Sequence, residues 1–365
     1  MPSASEWLEQ LSPWPQEFGL GRMRALLAEL GEPQREYPAI HVVGTNGKST
    51  ATRRAAAFLL REGLSVGAYT SPHVAGWSER IQVDGTDAEL EPTLERVREP
   101  AERVGATQFE VLTAAALAEF AAAEVDVAVV EAGLGGRLDA TNVLDAGIVA
   151  LTNVSLDHVE VLGDTREAIA DEKLAVVTPG ATVVLGEPEW ESCARERGAA
   201  QVLVADDVGR AAAEAFLRRP LEGEVDAALP GRFDVVGDDV FAGAHNPAGV
   251  EWLLGRLPRH DYVVVASVLA DKDADAMLAG LAQAGRTLVA TASHSARAMP
   301  PTELAARAQG RFEHVETLAE PAAALARARE LAGDDGAVLV TGSLYLLADL
   351  AVRLQHVPWD SSASA

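Results

Sequence analysis

Short runs of branched apolar residues punctuate the first part of this chain: "AIHVV" at 39–43, "VDVAVVE" at 125–131, "AGIVALTNV" at 146–154 and "ATVVLG" at 181–186. None alternates apolar with polar residues, so each reads as a strand buried on both faces. Stretches of helical period separate them, among them "STATRRAAAFLLREG" and "FEVLTAAALAEFAAAE". Strand, helix and strand in that order predict a parallel sheet covered by helices. A second series follows at 261–269, 286–293, 311–317 and 336–343, again separated by alanine-rich helical stretches. Between the two series, "RRPLEGEVDAALPGRFDVVGDD" has the proline, glycine and acid content of a linker. The expectation is an α/β protein of two domains: a parallel-sheet domain over 1–226, of P-loop type by its "HVVGTNGKST" turn, and a smaller Rossmann-like α/β domain over 227–365. The serine- and alanine-rich tail at 361–365 is expected to fray.

Composition narrows the function classes. No apolar run reaches the roughly 20 residues that span a bilayer, and the N-terminus, with Glu6 and Glu9, lacks the basic and apolar regions of a signal peptide. The single cysteine, Cys193, excludes an intramolecular disulfide framework and a cysteine-rich zinc site. A formal charge of −25 spread along the chain argues against a nucleic-acid surface. Only three of the 30 basic residues are lysine, and the acids number 55, a balance that fits adaptation to high salt. A cytoplasmic monomer acting on small molecules, with neither nucleic acid nor membrane as partner, is the expectation.

The sharpest motif is "HVVGTNGKST", a strand, a glycine-rich turn and a helix start. Gly44 and Gly47 let the turn Gly44, Thr45, Asn46, Gly47 aim its N–H groups at a phosphate; Lys48 supplies a point charge, and Ser49, followed by Thr50, can ligate Mg²⁺. Val42 stands where the first glycine of the full Walker pattern would be, and a glycine-rich turn that binds nothing is the alternative. Glu131 ends an apolar strand, so its carboxylate faces the crevice at the carboxyl edge of the sheet. Taken alone it serves as a Mg²⁺ ligand or as an ion-paired or capping acid; beside a P-loop the metal is favoured. Asp157 and His158 follow the next strand and face the same crevice, His158 as a ligand or as a structural hydrogen-bond donor.

Lys173 poses a separate question. Asp164 and Glu167 resemble a capping box, and "TREAIADEKLAVVTPG" runs from there as a helix to its Pro-Gly stop. Ile169, Lys173 and Val176 share its apolar stripe, where an ammonium is costly unless it is paired, snorkels or loses its charge. Arginine serves nearly everywhere else; the lysines kept are Lys48, Lys173 and Lys272 of "LADKDAD". Chemistry specific to a primary amine explains that economically.

Together these residues resemble the folylpolyglutamate synthase/dihydrofolate synthase branch of the Mur ligase family. The similarity is carried by "HVVGTNGKST", "YTSPHVAGWSERIQVDG", "TQFEVLTAAALAEF", "EAGLGGRLDATNV", "VSLDHVEVLGDTREAIADEK", "LPGRF", "GAHNPAG", "DKD" and "TGSLYL", in family order from 41 to 346. The resemblance implies ATP-dependent amide formation, in which L-glutamate is added to dihydropteroate or a reduced folate through an acyl phosphate. It implies that Lys48 and the P-loop amides hold the phosphates, that Ser49, Ser71 and Glu131 hold one Mg²⁺, and that His158 and Lys173 hold a second near Glu131. It makes Lys173 a lysine that CO₂ carbamylates, a conversion that requires the neutral amine. From the smaller domain it assigns Arg232, His245 and Asn246 to the nucleotide, His245 and Ser343 to substrate, and from the larger domain Arg80 to the substrate loop. The chain departs from the family where Ala242 replaces the acid of "DGAHNP": either Asp238 or Asp239 compensates, or ATP binds less tightly. "NGKST" is the Mur form rather than the folate-branch "NGKGS". A Mur-type ligase for another acid and a P-loop switch that only hydrolyses ATP are the rival readings.

Overall fold

The computed structural model describes residues 2–13, 15, 17–227 and 229–354, so the tail at 361–365 lies outside the described residues. By their internal packing these form two compact units, one of residues up to Pro72 with Trp77–Leu229, the other of His73–Gly76 with the chain from Pro230 onward.

The first unit is built on β1 (Ala39–Val43), β2 (Val66–Tyr69), β3 (Ile81–Val83), β4 (Thr86–Asp87), β5 (Val127–Glu131), β6 (Ile148–Leu151), β7 (Thr182–Leu185) and β8 (Gln201–Val204). They lie in the order β4-β3-β2-β5-β1-β6-β7-β8, parallel except for the β3 and β4 edge. Side chains on β1 and β5 alternate between two cores. Ile40, Val42, Val127 and Val129 join the one beneath the helix Lys48–Arg61, while Val43, Ala128 and Val130 join the one that holds the helix Gln108–Ala122. That alternation is why these strands carry no polar face. Strands β2, β3, β4 and β8, at four residues or fewer, are too short or too mixed to stand out in the sequence.

The second unit is a sheet of β9 (Asp234–Val236), β10 (Asp239–Phe241), β11 (Val263–Ala266), β12 (Thr287–Ala290), β13 (His314–Thr317) and β14 (Val338–Thr341), ordered β13-β12-β11-β14-β10-β9. All pairs are parallel except β9 with β10. Helices cover both faces, as in a doubly wound fold.

Two local expectations need correction. The stretch read as linker ends in the β9–β10 hairpin, because Val235 and Val240 are cross-strand partners around the Gly237 turn. The helix bearing Lys173 spans Arg166–Leu174; Thr165, not Asp164, caps it, its hydroxyl accepting from the N–H of Ala168 at 3.2 Å.

Candidate active site

The carboxyl ends of β5, β1 and β6 lie side by side, since Val42 pairs with both Glu131 and Ala150. The loops that leave these ends therefore meet, as ligand-binding loops do in parallel sheets. The turn after β1 is glycine for a steric reason: a Cβ on Gly44 would lie 1.9 Å from the Thr152 hydroxyl oxygen. Gly47, at φ +79°, caps the helix Lys48–Arg61 in the left-handed region. Asn153 braces this turn, its carbonyl accepting from Thr45 N–H (2.9 Å) and its side chain bonding both N–H and C=O of Asn46 (3.0 Å each). Lys48 Nζ donates to Thr45 O at 3.3 Å, and Thr50 is exposed on the helix's first turn.

Ser49, Ser71 and Glu131 form one cluster. The Ser49 hydroxyl donates to Glu131 Oε1 (3.1 Å), the Ser71 N–H donates to Oε2 (3.0 Å), and Ser49 Oγ lies 3.4 Å from Ser71 O. Glu131 is 1 % exposed. A buried carboxylate flanked by a hydroxyl is the hard oxygen chemistry that suits Mg²⁺, so these residues fit that ion. Among the described residues no three His, Cys, Asp or Glu converge. A Mg²⁺ here would accordingly depend on hydroxyls and nucleotide phosphates for its remaining ligands, as this ion commonly does.

Lys173 is 4 % exposed and donates from Nζ to Gly44 O at 2.7 Å. Burial, followed by repulsion from Lys48, brings its ammonium down to about 7. Asp157 is close enough to oppose that shift. His158 starts the short helix Val159–Leu162 in a left-handed conformation, its Nε2 3.9 Å from Asp157 Oδ1. The structure thus joins Ser49, Ser71 and Glu131 directly and Lys173 to the P-loop backbone, with His158 entering from the loop after β6. Arg80 lies with its guanidinium 4.8 Å from the Trp77 ring centre.

In the second unit the loops after β10 and β14 come together with the "LPGR" turn. Gly243 N–H donates to Gly231 O (2.8 Å), and Gly342 N–H to Ala244 O (3.0 Å). His245 Nδ1 is 2.9 Å from Gly243 O, while Asn246 caps the helix Pro247–Leu254 by accepting from Gly249 N–H. Ser343 is buried, its hydroxyl accepting from Tyr345 N–H at 3.1 Å; Arg232 is half-buried beside Asp234. Asp239 cannot take the place of the missing acid at Ala242. It starts β10, at the opposite end of the strand, and is held by Val338 N–H (2.8 Å) and Arg329 (3.1 Å). Asp238 precedes it at that same end.

Sequence reasoning assigned no role to a buried hydrogen-bonded chain that starts on β1. His41 Nε2 is 2.8 Å from Thr141 Oγ1, whose hydroxyl donates to Asp139 Oδ1, and Asp139 Oδ2 accepts from Leu134 N–H at 2.7 Å. Because the Thr141 hydroxyl donates to Asp139, its oxygen accepts from His41, which assigns the ring proton to Nε2. Burial lowers His41 to about 4 and raises the Asp139 carboxyl. The sequence traces were a histidine inside an apolar strand and the place of Asp139 and Thr141 in "EAGLGGRLDATNV", neither of which names the contact.

The Mur ligase middle domain profile matches residues 42–185, and the Mur ligase glutamate ligase domain profile matches 231–344. This chain belongs to the Mur ligase family. It is 33 % identical over 391 residues to the dihydrofolate synthase/folylpolyglutamate synthase of Mycobacterium tuberculosis, covering 82 % of this chain and 80 % of that protein. It is 34 % identical over 401 residues to a probable bifunctional folylpolyglutamate synthase/dihydropteroate synthase of Haloferax volcanii; 91 % of this chain matches, spanning 48 % of that longer protein. Among solved structures, the M. tuberculosis folylpolyglutamate synthase complexed with ADP aligns with TM-score 0.88 at 31 % identity, covering 96 % and 97 % of the two chains. A bifunctional folylpolyglutamate synthase/dihydrofolate synthase with Mn, AMPPNP and L-glutamate bound gives 0.85 at 28 %, covering 97 % and 98 %. Within the family the chain falls in the folylpolyglutamate synthase/dihydrofolate synthase branch.

Proposed function

We propose that this chain is an ATP-dependent ligase that joins L-glutamate to dihydropteroate, to a reduced folate, or to both. The observation that carries this is the hydrogen-bonded Ser49–Glu131–Ser71 cluster at the foot of the P-loop, with Lys173 buried against Gly44 O. In the first step the acceptor carboxylate attacks the γ-phosphorus, forming an acyl phosphate and releasing ADP. In the second the glutamate amine attacks the acyl carbon and loses a proton, and inorganic phosphate leaves. Neither step needs a protein nucleophile; both need alignment and charge neutralisation.

Lys48 and the amides of Gly47, Lys48 and Ser49 at the helix start bind the phosphates, while Asn153, which engages the N–H groups of Thr45 and Asn46, holds the shape of the turn. Ser49, Ser71 and Glu131 would hold one Mg²⁺; His158 and Lys173, near Glu131, would hold a second. Bound there, the metal would supply Lewis-acid neutralisation of phosphate charge. The neutral Lys173 amine adds CO₂ and releases a proton, which converts it into an oxygen ligand. Arg232, His245 and Asn246 are assigned to the nucleotide, Arg80, His245 and Ser343 to the substrates. No helix among the described residues is long and apolar enough to cross a membrane, and we place the enzyme in the cytoplasm as a monomer.

The test is a mass-scored panel with ATP, Mg²⁺ and L-glutamate against dihydropteroate, tetrahydrofolate and its diglutamate. A gain of one glutamyl residue on at least one acceptor, with matching ADP release, is the expected result. ADP release without any acceptor gaining mass refutes the ligase reading.

A further inference from the structure

The loop at 71–80 carries Ser71 into the Glu131 cluster, and something must hold that loop at the right depth. Its two ends meet at a narrow neck, where Thr70 N–H donates to Arg80 O at 2.9 Å. Arg53 reaches the neck from below. It lies on the helix Lys48–Arg61, one turn beyond Ser49, and is 8 % exposed. Its Nη2 donates to Glu79 O at 2.5 Å and stands 3.5 Å from Thr70 Oγ1. Asp87, Glu79 and Glu131 supply the neighbouring negative charge.

A helix face packed on a sheet ordinarily asks for an apolar residue, and Ala56, one turn further along the same stripe, obeys that rule. Burying a guanidinium instead is costly unless its geometry is used. Here Nε has no hydrogen-bond partner among the described residues, which adds to that cost. What the guanidinium does hold is loop backbone. The helix that begins at the phosphate-binding turn is thereby tied to the loop that supplies Ser71.

We propose that Arg53 is a positioning residue of the ligase reaction, fixing the neck of the 71–80 loop against the P-loop helix so that Ser71 seats on Glu131. The proposal rests on the ligase reading for its kinetic arm. Arg53 touches neither phosphate nor acceptor in this assignment; it acts through the loop.

The experiment compares Arg53→Ala, Arg53→Lys and Thr70→Val with the unaltered full chain. In Arg53→Ala we expect nucleotide affinity within about twofold of the unaltered protein, a kcat at least about 30-fold lower, and partial recovery on adding guanidinium ion. Arg53→Lys should fall between the two, and Thr70→Val should lose a few-fold in kcat. Limited trypsinolysis after Arg80 gives a readout independent of catalysis: freeing the neck should speed this cleavage several-fold, and guanidinium should slow it again. Unchanged kcat and cleavage in a folded Arg53→Ala protein overturn the proposal, as does a loss that guanidinium leaves untouched and that Arg53→Lys shares in full. Should Arg53→Ala fail to fold, Thr70→Val decides: unaltered kcat and unaltered cleavage there also overturn it. If the unaltered protein glutamylates no acceptor, the ligase reading fails, while the cleavage arm still tests the anchor.

Discussion

Replacing Lys173 by methionine keeps most of the side chain's bulk and removes its amine, and the consequence depends on pH in a way that can be worked out. The folded protein holds this ammonium at about 7, against an ordinary 10.5, chiefly because it is buried. Between those values the unfolded chain binds a proton that the folded chain does not. Stability therefore rises with pH across this window, and below about 7 the full penalty is present. The gap corresponds to about 5 kcal/mol. Methionine escapes that penalty but leaves Gly44 O without its 2.7 Å donor, a loss of about 2 kcal/mol. In Mg²⁺-free buffer purged of CO₂, Lys173→Met should be more stable than the unaltered protein by roughly 3 kcal/mol near pH 6.5, with the order reversing near ~pH 9. Urea unfolding at a series of pH values measures this. A stability difference that stays constant from pH 6.5 to 9.5 refutes the argument. The same depressed value makes the amine roughly three quarters neutral at about pH 7.5, against about 0.1 % for an ordinary lysine, which is what reaction with CO₂ requires. Lys173→Met, and Lys173→Arg with it, should therefore abolish ligation at every pH while leaving nucleotide binding measurable.

Glu131→Gln keeps the acceptor oxygen for Ser49 but removes the charge; the Mg²⁺ concentration needed for half-maximal ADP release should rise at least ~10-fold, and an unchanged Mg²⁺ titration would count against the metal assignment. Gly44→Ala places a Cβ 1.9 Å from the Thr152 hydroxyl, so it should cost about 2–4 kcal/mol in urea unfolding and weaken nucleotide binding; because Thr152 Oγ1 also donates to Asn46 O, the combination with Thr152→Ala should recover space without restoring the brace.

The longer apolar strands of both sheets were legible because a strand buried on two faces announces itself locally. The runs at 39–43, 125–131, 146–154 and 181–186 contain β1, β5, β6 and β7. The hairpin of β9 and β10 was hidden in a stretch whose glycines and acids resemble any linker. Thr165 displaced Asp164 as the cap because its hydroxyl reaches Ala168 N–H, a matter of one residue of phase. Glu131 was visible as a strand-end carboxylate, and Lys173 through the scarcity of lysine. Asp139, Thr141, His41 and Asn153 were not, since each matters only through its partner.

What the sequence by itself determined is local: the periods of the elements, the glycine turn at 44–47, the strand-end position of Glu131 and the retained amine at 173. Tertiary structure alone decided which of these meet. Ser49 and Glu131 are 82 residues apart, and Lys173 and Gly44 are 129 apart. They are brought together by the placement of β1 between β5 and β6. Strand order is a property of how whole elements pack, and no single segment encodes it. The same packing turned the cation on the P-loop helix, Arg53, inward to the neck of a loop, and turned the lysine of an apolar stripe into an amine that burial keeps ready to lose its charge.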